Sequence, residues 1–161
     1  GYFISQLAGA MFGSWLAYIT YIDHYRLTNN ETIVRSTFCT GPAIKNVKNN
    51  FFSEAIGTFM LVFGSLFIVK PNINVNGTEV ENFGLGALEA LPIGILVWLI
   101  GMALGGTTGY AINPARDFGP RMVYQFLPRK NKNAEWNYSW VPILGPFFGG
   151  AVAGIIYNFL M

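Results

Sequence analysis

The run Gly-Gly-Thr-Thr-Gly-Tyr-Ala-Ile-Asn-Pro-Ala-Arg-Asp-Phe-Gly-Pro-Arg, residues 105–121, decides how the rest of the chain is read. Its glycines at 105, 106 and 109 allow backbone conformations that other residues resist, so an extended segment is expected there. Asn113-Pro114 follows. Asparagine is a preferred helix N-cap and proline is favoured at the first helical position, which predicts a helix from Pro114. Pro128 stops it near Leu127. Such a helix is roughly 20 Å long at about 1.5 Å per residue. A hydrocarbon core is about 30 Å thick, so the helix is too short to cross one.

Long apolar segments flank this run. Irregular backbone at membrane depth persists only where protein covers it or water reaches it. The run therefore reads as a re-entrant loop and half-helix that line an aqueous pore. Arg116 falls in the first helical turn, at the positive end of the helix dipole, where a cation is unfavourable. Local helix stability does not account for it. The competing readings are a functional role and a solvated loop arginine.

Of the 161 residues, 52% are hydrophobic and 11% charged, against about 25% charged in soluble domains. The composition points to a membrane. The formal net charge of +2 carries no nucleic-acid signature. The single Cys39 excludes an internal disulfide. A start at Gly1 inside an apolar segment, with no signal peptide, reads as a piece of a longer chain.

Outward from the central run, four spans are expected, over residues 1–22, 51–69, 87–104 and 140–160. In the first, Gly9, Gly13 and Ala17 recur every four residues, a spacing that lets helices approach closely in lipid. Asp23, His24, Tyr25 and Arg26 mark its exit to water, and His24 has no metal-ligand companions. Residues 27–50 and 70–86 read as polar loops. Glu79, Glu81 and Glu89 are too scattered for a metal site and form a solvated acidic face. Pro92 falls near the start of the third span, where its missing N–H costs least. Trp136, Tyr138 and Trp140 form an interfacial aromatic anchor. Asn30-Glu31-Thr32, Asn76-Gly77-Thr78 and Asn137-Tyr138-Ser139 match the N-glycosylation pattern, which is common by chance. Glu54 lies just inside the second span. Ionisable groups in spans are rare and are functional or paired, unless they sit at the interface, which its position allows.

An internal repeat survives. Residues 6–19 align with 142–155, with identities at Gly9/Gly145, Phe12/Phe148, Gly13/Gly149, Ala17/Ala153 and Ile19/Ile155. The end of a first repeat (1–26) then precedes a second repeat (50–161). Inverted repeats of this kind are frequent in transport proteins. The expectation is that two further spans and a second half-helix precede Gly1.

Asn113-Pro114-Ala115-Arg116, followed by Asp117-Phe118-Gly119-Pro120, resembles the second signature of the aquaporin superfamily. Asp117 and Arg121 resemble its glycerol-conducting branch, the aquaglyceroporins, as does Pro142-Ile143. Gly41 departs from that branch, which usually has an aromatic residue there. The resemblance covers the whole chain, as the C-terminal part of such a channel. It implies an all-α membrane protein, a right-handed helical bundle that here holds four spans plus a re-entrant half-helix. It further implies two Asn-Pro-Ala ends meeting at mid-membrane, of which this chain holds one.

By that resemblance, Asn113 caps the half-helix through its oxygen and offers its NH2 group to the pore. The carbonyls of Gly109, Tyr110 and Ala111 form a ladder of acceptors for hydroxyl groups. Arg116, Tyr110 and Gly101 form three corners of the filter, although the glycerol branch often has Phe where Tyr110 stands. Glu54 accepts hydrogen bonds from the pore loop's backbone. The positive helix ends oppose cations and protons. The same resemblance implies a homotetramer in the plasma membrane that passes glycerol, water and small neutral solutes, with no cofactor and no nucleic-acid partner.

The positive-inside rule would place the basic loops, with Arg26, Arg35, Lys45 and Lys48 in one and Arg129, Lys130 and Lys132 in the other, in the cytoplasm. The resemblance places them outside, and we follow the resemblance. Function then reads as passive conduction of glycerol. Asp117, Arg121 and Gly101 speak against a water-selective aquaporin. A secondary transporter needs titratable groups at mid-span, and only Glu54 offers one. No Ser/His/Asp or His/Glu cluster supports an enzyme.

Overall fold

A computed structural model describes residues 1–68, 73–75, 78–80 and 86–161. The loop expected over 70–86 therefore lies largely outside the described residues, with Glu81 and most of Asn76-Gly77-Thr78. The long helices are α1 (Tyr2–Thr20), α4 (Val47–Phe67), α5 (Leu91–Thr108), α6 (Pro114–Phe126) and α8 (Val141–Leu160). Short helices fill the connections: α2 (Ile22–Leu27), α3 (Glu31–Ser36) and α7 (Trp136–Ser139). A hairpin of β1 (Ile73–Val75) and β2 (Thr78–Val80) pairs antiparallel, with Ile73 opposite Val80 and Val75 opposite Thr78. That hairpin and α3 correct the reading of both connections as plain loops. Asn30 caps α3, its Oδ1 accepting from Thr32 N at 3.0 Å and Ile33 N at 3.3 Å. Its side chain is thus engaged in helix capping.

Among the described residues three helices are long and apolar enough to cross a membrane: Val47–Phe67, Leu91–Thr108 and the continuous Trp136–Leu160. The chain is an integral membrane protein. Four such spans were expected. At 19 residues α1 has the length, but Ser5, Gln6, Ser14 and Thr20 dilute its apolar character. Pro92 and Pro142 sit in the first turns of α5 and α8, where no intrahelical bond is lost. Apolar side chains stand outward on both helices, among them Trp98, Leu99 and Met102 on α5 and Phe147 and Phe148 on α8. An outer surface of this kind suits lipid or neighbouring helices.

Glycines set the close crossings. A Cβ built on Gly145 would come 2.8 Å from Glu54 Cβ, and one on Gly149 would run into the Ala55 carbonyl. These two positions let α8 lie directly on α4, the most extensive pairing in the molecule. Gly119 does the same for α6 against α1, where a Cβ would meet Ala10 Cβ at 2.9 Å and Met11 N at 3.2 Å. Gly9 and Gly13 do not serve this purpose: no described atom lies within 4 Å of a Cβ built on either. Their repeat counterparts Gly145 and Gly149 have α4 to pack on; within the described residues α1 has no such neighbour on that face. A compact apolar cluster of Val34, Phe38, Cys39, Tyr124, Leu127 and Ala134 joins the 31–39 connection to the end of α6.

Candidate functional site

The half-helix begins as its local chemistry dictates. Asn113, with φ −154°, accepts a bond from Ala115 N on Oδ1 at 2.9 Å, and Pro114 opens α6. With Oδ1 so engaged, Nδ2 is the outward group. It donates to Gln6 Oε1 of α1 at 3.3 Å. A groove of about 500 Å³ lies here between α1 and the start of α6, lined by Gln6, Ser14, Asn113, Ala115 and Arg116. Gln6 had drawn no notice in the sequence beyond its place in the repeat. A polar side chain inside an apolar helix was the available signal.

The glycine run ahead of it differs from the expected extended segment. Gly105 and Gly106 belong to α5, and Gly109 N donates to Gly105 O at 3.0 Å. Only Gly109 turns left-handed, at φ 79°, and ends α5. Tyr110 (φ 38°) and Ile112 (φ 44°) then also hold positive φ. For side-chain-bearing residues this costs on the order of 1–3 kcal/mol each and persists only where the surroundings enforce it.

Glu54 is what enforces it. It projects from α4, 1% exposed. Its Oε1 accepts from Ala111 N at 2.9 Å and its Oε2 from Ile112 N at 2.7 Å. Peptide units here are trans and planar, so a carbonyl points opposite to the N–H across its bond. The carbonyls of Tyr110 and Ala111 are therefore aimed away from Glu54. No such constraint fixes the Gly109 carbonyl. A Cβ on Gly57 would come 2.9 Å from Ile112 Cγ2, so α4 also makes room for this strained loop.

Tyr110, Gly101 and Arg116 come together. A Cβ on Gly101 would lie 3.1 Å from Tyr110 Cε2 and Cζ, so the tyrosine ring occupies the space that the glycine leaves. The Arg116 guanidinium stands 5.6 Å from the centroid of that ring, within cation–π reach. Arg116 is exposed, and among the described residues no acid pairs with it.

Asp117 and Arg121, both 0% exposed, are not among the groove's lining residues. Arg121 grips Asp117 with Nε at 2.7 Å and Nη2 at 2.8 Å. Its remaining donors reach the carbonyls of Thr40 at 2.9 Å and of Ala134. Asp117 Oδ1 also accepts from Thr40 N at 2.8 Å and Thr40 Oγ1 at 2.6 Å. The pair ties two connections to the half-helix and does not face the groove. Removing one partner of such a buried pair costs about 3–5 kcal/mol, because the other charge is stranded. Beside it, burial pushes the Cys39 thiol up to about 12, which leaves it an unreactive packing group.

Several basic side chains of the connections are also engaged. Arg129 Nε donates to Glu31 Oε1 at 2.8 Å, and its Nη2 donates to the Thr28 carbonyl at 2.9 Å. Lys45 and Arg35 meet Glu135 at 2.6 and 3.3 Å. Among the described residues no three His, Cys, Asp or Glu side chains gather as a metal site would require.

The major intrinsic protein family matches residues 1–157. A probable glycerol uptake facilitator protein of Thermotoga maritima is 44% identical over 99% of this chain and 64% of its own length. The glycerol uptake facilitator protein of Bacillus subtilis is 42% identical over 98% of this chain and 54% of its own. In three dimensions the chain superposes on the aquaglyceroporin of Plasmodium falciparum with a TM-score of 0.77 at 31% identity, covering 98% of this chain and 62% of that one. The chain thus spans less than two thirds of each of these relatives. A short capped half-helix, a strained loop braced by a buried glutamate, and a family match over nearly the whole length agree: the chain belongs to the major intrinsic protein family.

Proposed function

We propose that this chain carries the second-repeat half of a passive channel for glycerol and other small neutral solutes, with water also passing. The observation that carries the reading is the triad of Gly101, Tyr110 and Arg116. It sets an apolar ring and a cationic donor side by side, the pairing that a solute with a carbon backbone and hydroxyl groups needs. The Tyr110 and Ala111 carbonyls, aimed away from Glu54, supply acceptors, and Asn113 Nδ2 supplies a further donor. Gly109 adds its carbonyl to the ladder. Pro114 and Ala115 shape the turn that presents the helix end, whose dipole opposes cations. Glu54, Asp117 and Arg121 act as supports. Relatives named as glycerol uptake facilitators favour glycerol over a water-only pore.

The assembly we propose is a homotetramer in the plasma membrane, with the basic connections outside. That orientation follows the family resemblance and runs against the Lys and Arg bias of those connections. A secondary transporter is the rival. Labelled glycerol flux into vesicles that hold the full-length protein separates the two. A channel gives uptake linear in glycerol concentration and no acceleration by unlabelled glycerol on the far side. Saturation with counter-flow would mark a transporter.

A further inference from the structure

One loop residue reaches the filter region from behind, without lining the groove. Thr40 is 7% exposed and lies between α3 and α4. Three bonds fix it to α6: its N–H and its hydroxyl both donate to Asp117 Oδ1, at 2.8 and 2.6 Å, and its carbonyl accepts from Arg121 Nη2 at 2.9 Å. Both partners are fully buried, so the grip has no slack to solvent. On its other side Thr40 lies on the end of α5. A Cβ built on Gly109 would come 3.3 Å from Thr40 Cβ and 3.6 Å from Thr40 Cγ2.

Gly109 is the left-handed residue that turns the chain out of α5 and into Tyr110. The Tyr110 ring stands against Gly101 and beneath Arg116. We propose that Thr40 is a specificity-positioning residue: its hydroxyl bond to Asp117 seats it against Gly109, and that seat sets where the Tyr110 ring stands between Gly101 and Arg116. The inference rests on the filter reading above. A shift of a few tenths of an ångström at Gly109 moves the ring, because close-packed contacts transmit displacement. A solute larger than water feels that displacement more than water does.

The test uses the full-length channel in vesicles, with water and glycerol permeabilities read by stopped-flow light scattering and normalised to folded protein. Thr40→Val keeps the shape and the methyl group but removes the hydroxyl donor; Thr40→Ser keeps the donor. The glycerol-to-water ratio should change by about threefold or more in Thr40→Val, the scale of a coupled contact, and stay within about twofold of the parent in Thr40→Ser. Thr40→Ala, which also lacks the donor, stands in should the valine variant not fold. An unchanged ratio overturns the proposal, whether both fluxes hold or fall together, since that is what a merely structural threonine gives. A serine variant displaced as far as the valine one overturns it too. A parent channel that passes no glycerol defeats the underlying functional reading instead, and the positioning role with it.

Discussion

At the scale of single residues, Glu54 decides whether the loop ahead of Asn113 can exist. Two side-chain-bearing residues at positive φ are unfavourable, and one carboxylate bonded to two adjacent N–H groups holds them. Glutamine has one acceptor oxygen in place of two. In Glu54→Gln one buried N–H is left unmet, at about 1–3 kcal/mol. We predict a lowered thermal midpoint in detergent and a lower flux per folded protein, for glycerol and water alike. A variant matching its parent in both measurements would remove Glu54 from the support of this loop. Glu54 was visible in the sequence as an ionisable group in a span, and the resemblance directed it to the pore loop's backbone; which two N–H groups it takes was not visible, since they lie 57 and 58 residues away. Thr40 carried no signal at all: a polar residue in a polar loop, bonded 77 residues along the chain.

At the scale of elements, local chemistry was legible and packing was not. The half-helix runs Pro114–Phe126 against an expected 114–127, because an Asn-Pro start and a Pro stop are local signals. Gly105 and Gly106 misled, since an apolar helix tolerates glycine; the glycine that makes room for the Tyr110 ring is Gly101. Gly9 and Gly13 fit the pattern for close packing, but the crossings that need glycine are at Gly119, Gly145 and Gly149. The connections hold together through Glu135, which receives Lys45 and Arg35. Burial pushes its carboxyl up, but the Lys45 hydrogen bond and the charges of Arg35, Lys45 and Arg121 outweigh this and leave it below its ordinary value. A carboxyl depressed in the folded state stabilises above its unfolded value and loses that contribution as pH falls through the folded one. The thermal midpoint of Glu135→Gln should therefore lie below the parent's at neutral pH. The gap should close as pH drops below the ordinary carboxylate value of 4.5. A gap that stays constant from neutral to acid pH would show that the ion pairs add nothing.

At the scale of the whole molecule, α8 lies on α4 and α6 on α1, and between them an irregular loop runs from α5 into the half-helix. This places Gly101, Tyr110 and Arg116 in one cluster and Asn113 beside Gln6. The central claim is that the cluster is a filter wide enough for glycerol because residue 101 has no side chain. The direct measurement compares water and glycerol permeability of vesicles holding the full-length protein or its Gly101→His variant. A histidine must displace the Tyr110 ring, now 3.1 Å from where its Cβ would stand, and so narrow the opening. The account predicts that the parent passes both solutes and that the variant keeps water while losing most glycerol flux. Parent vesicles no more permeable to glycerol than protein-free ones, or a variant that retains both fluxes in full, would contradict it.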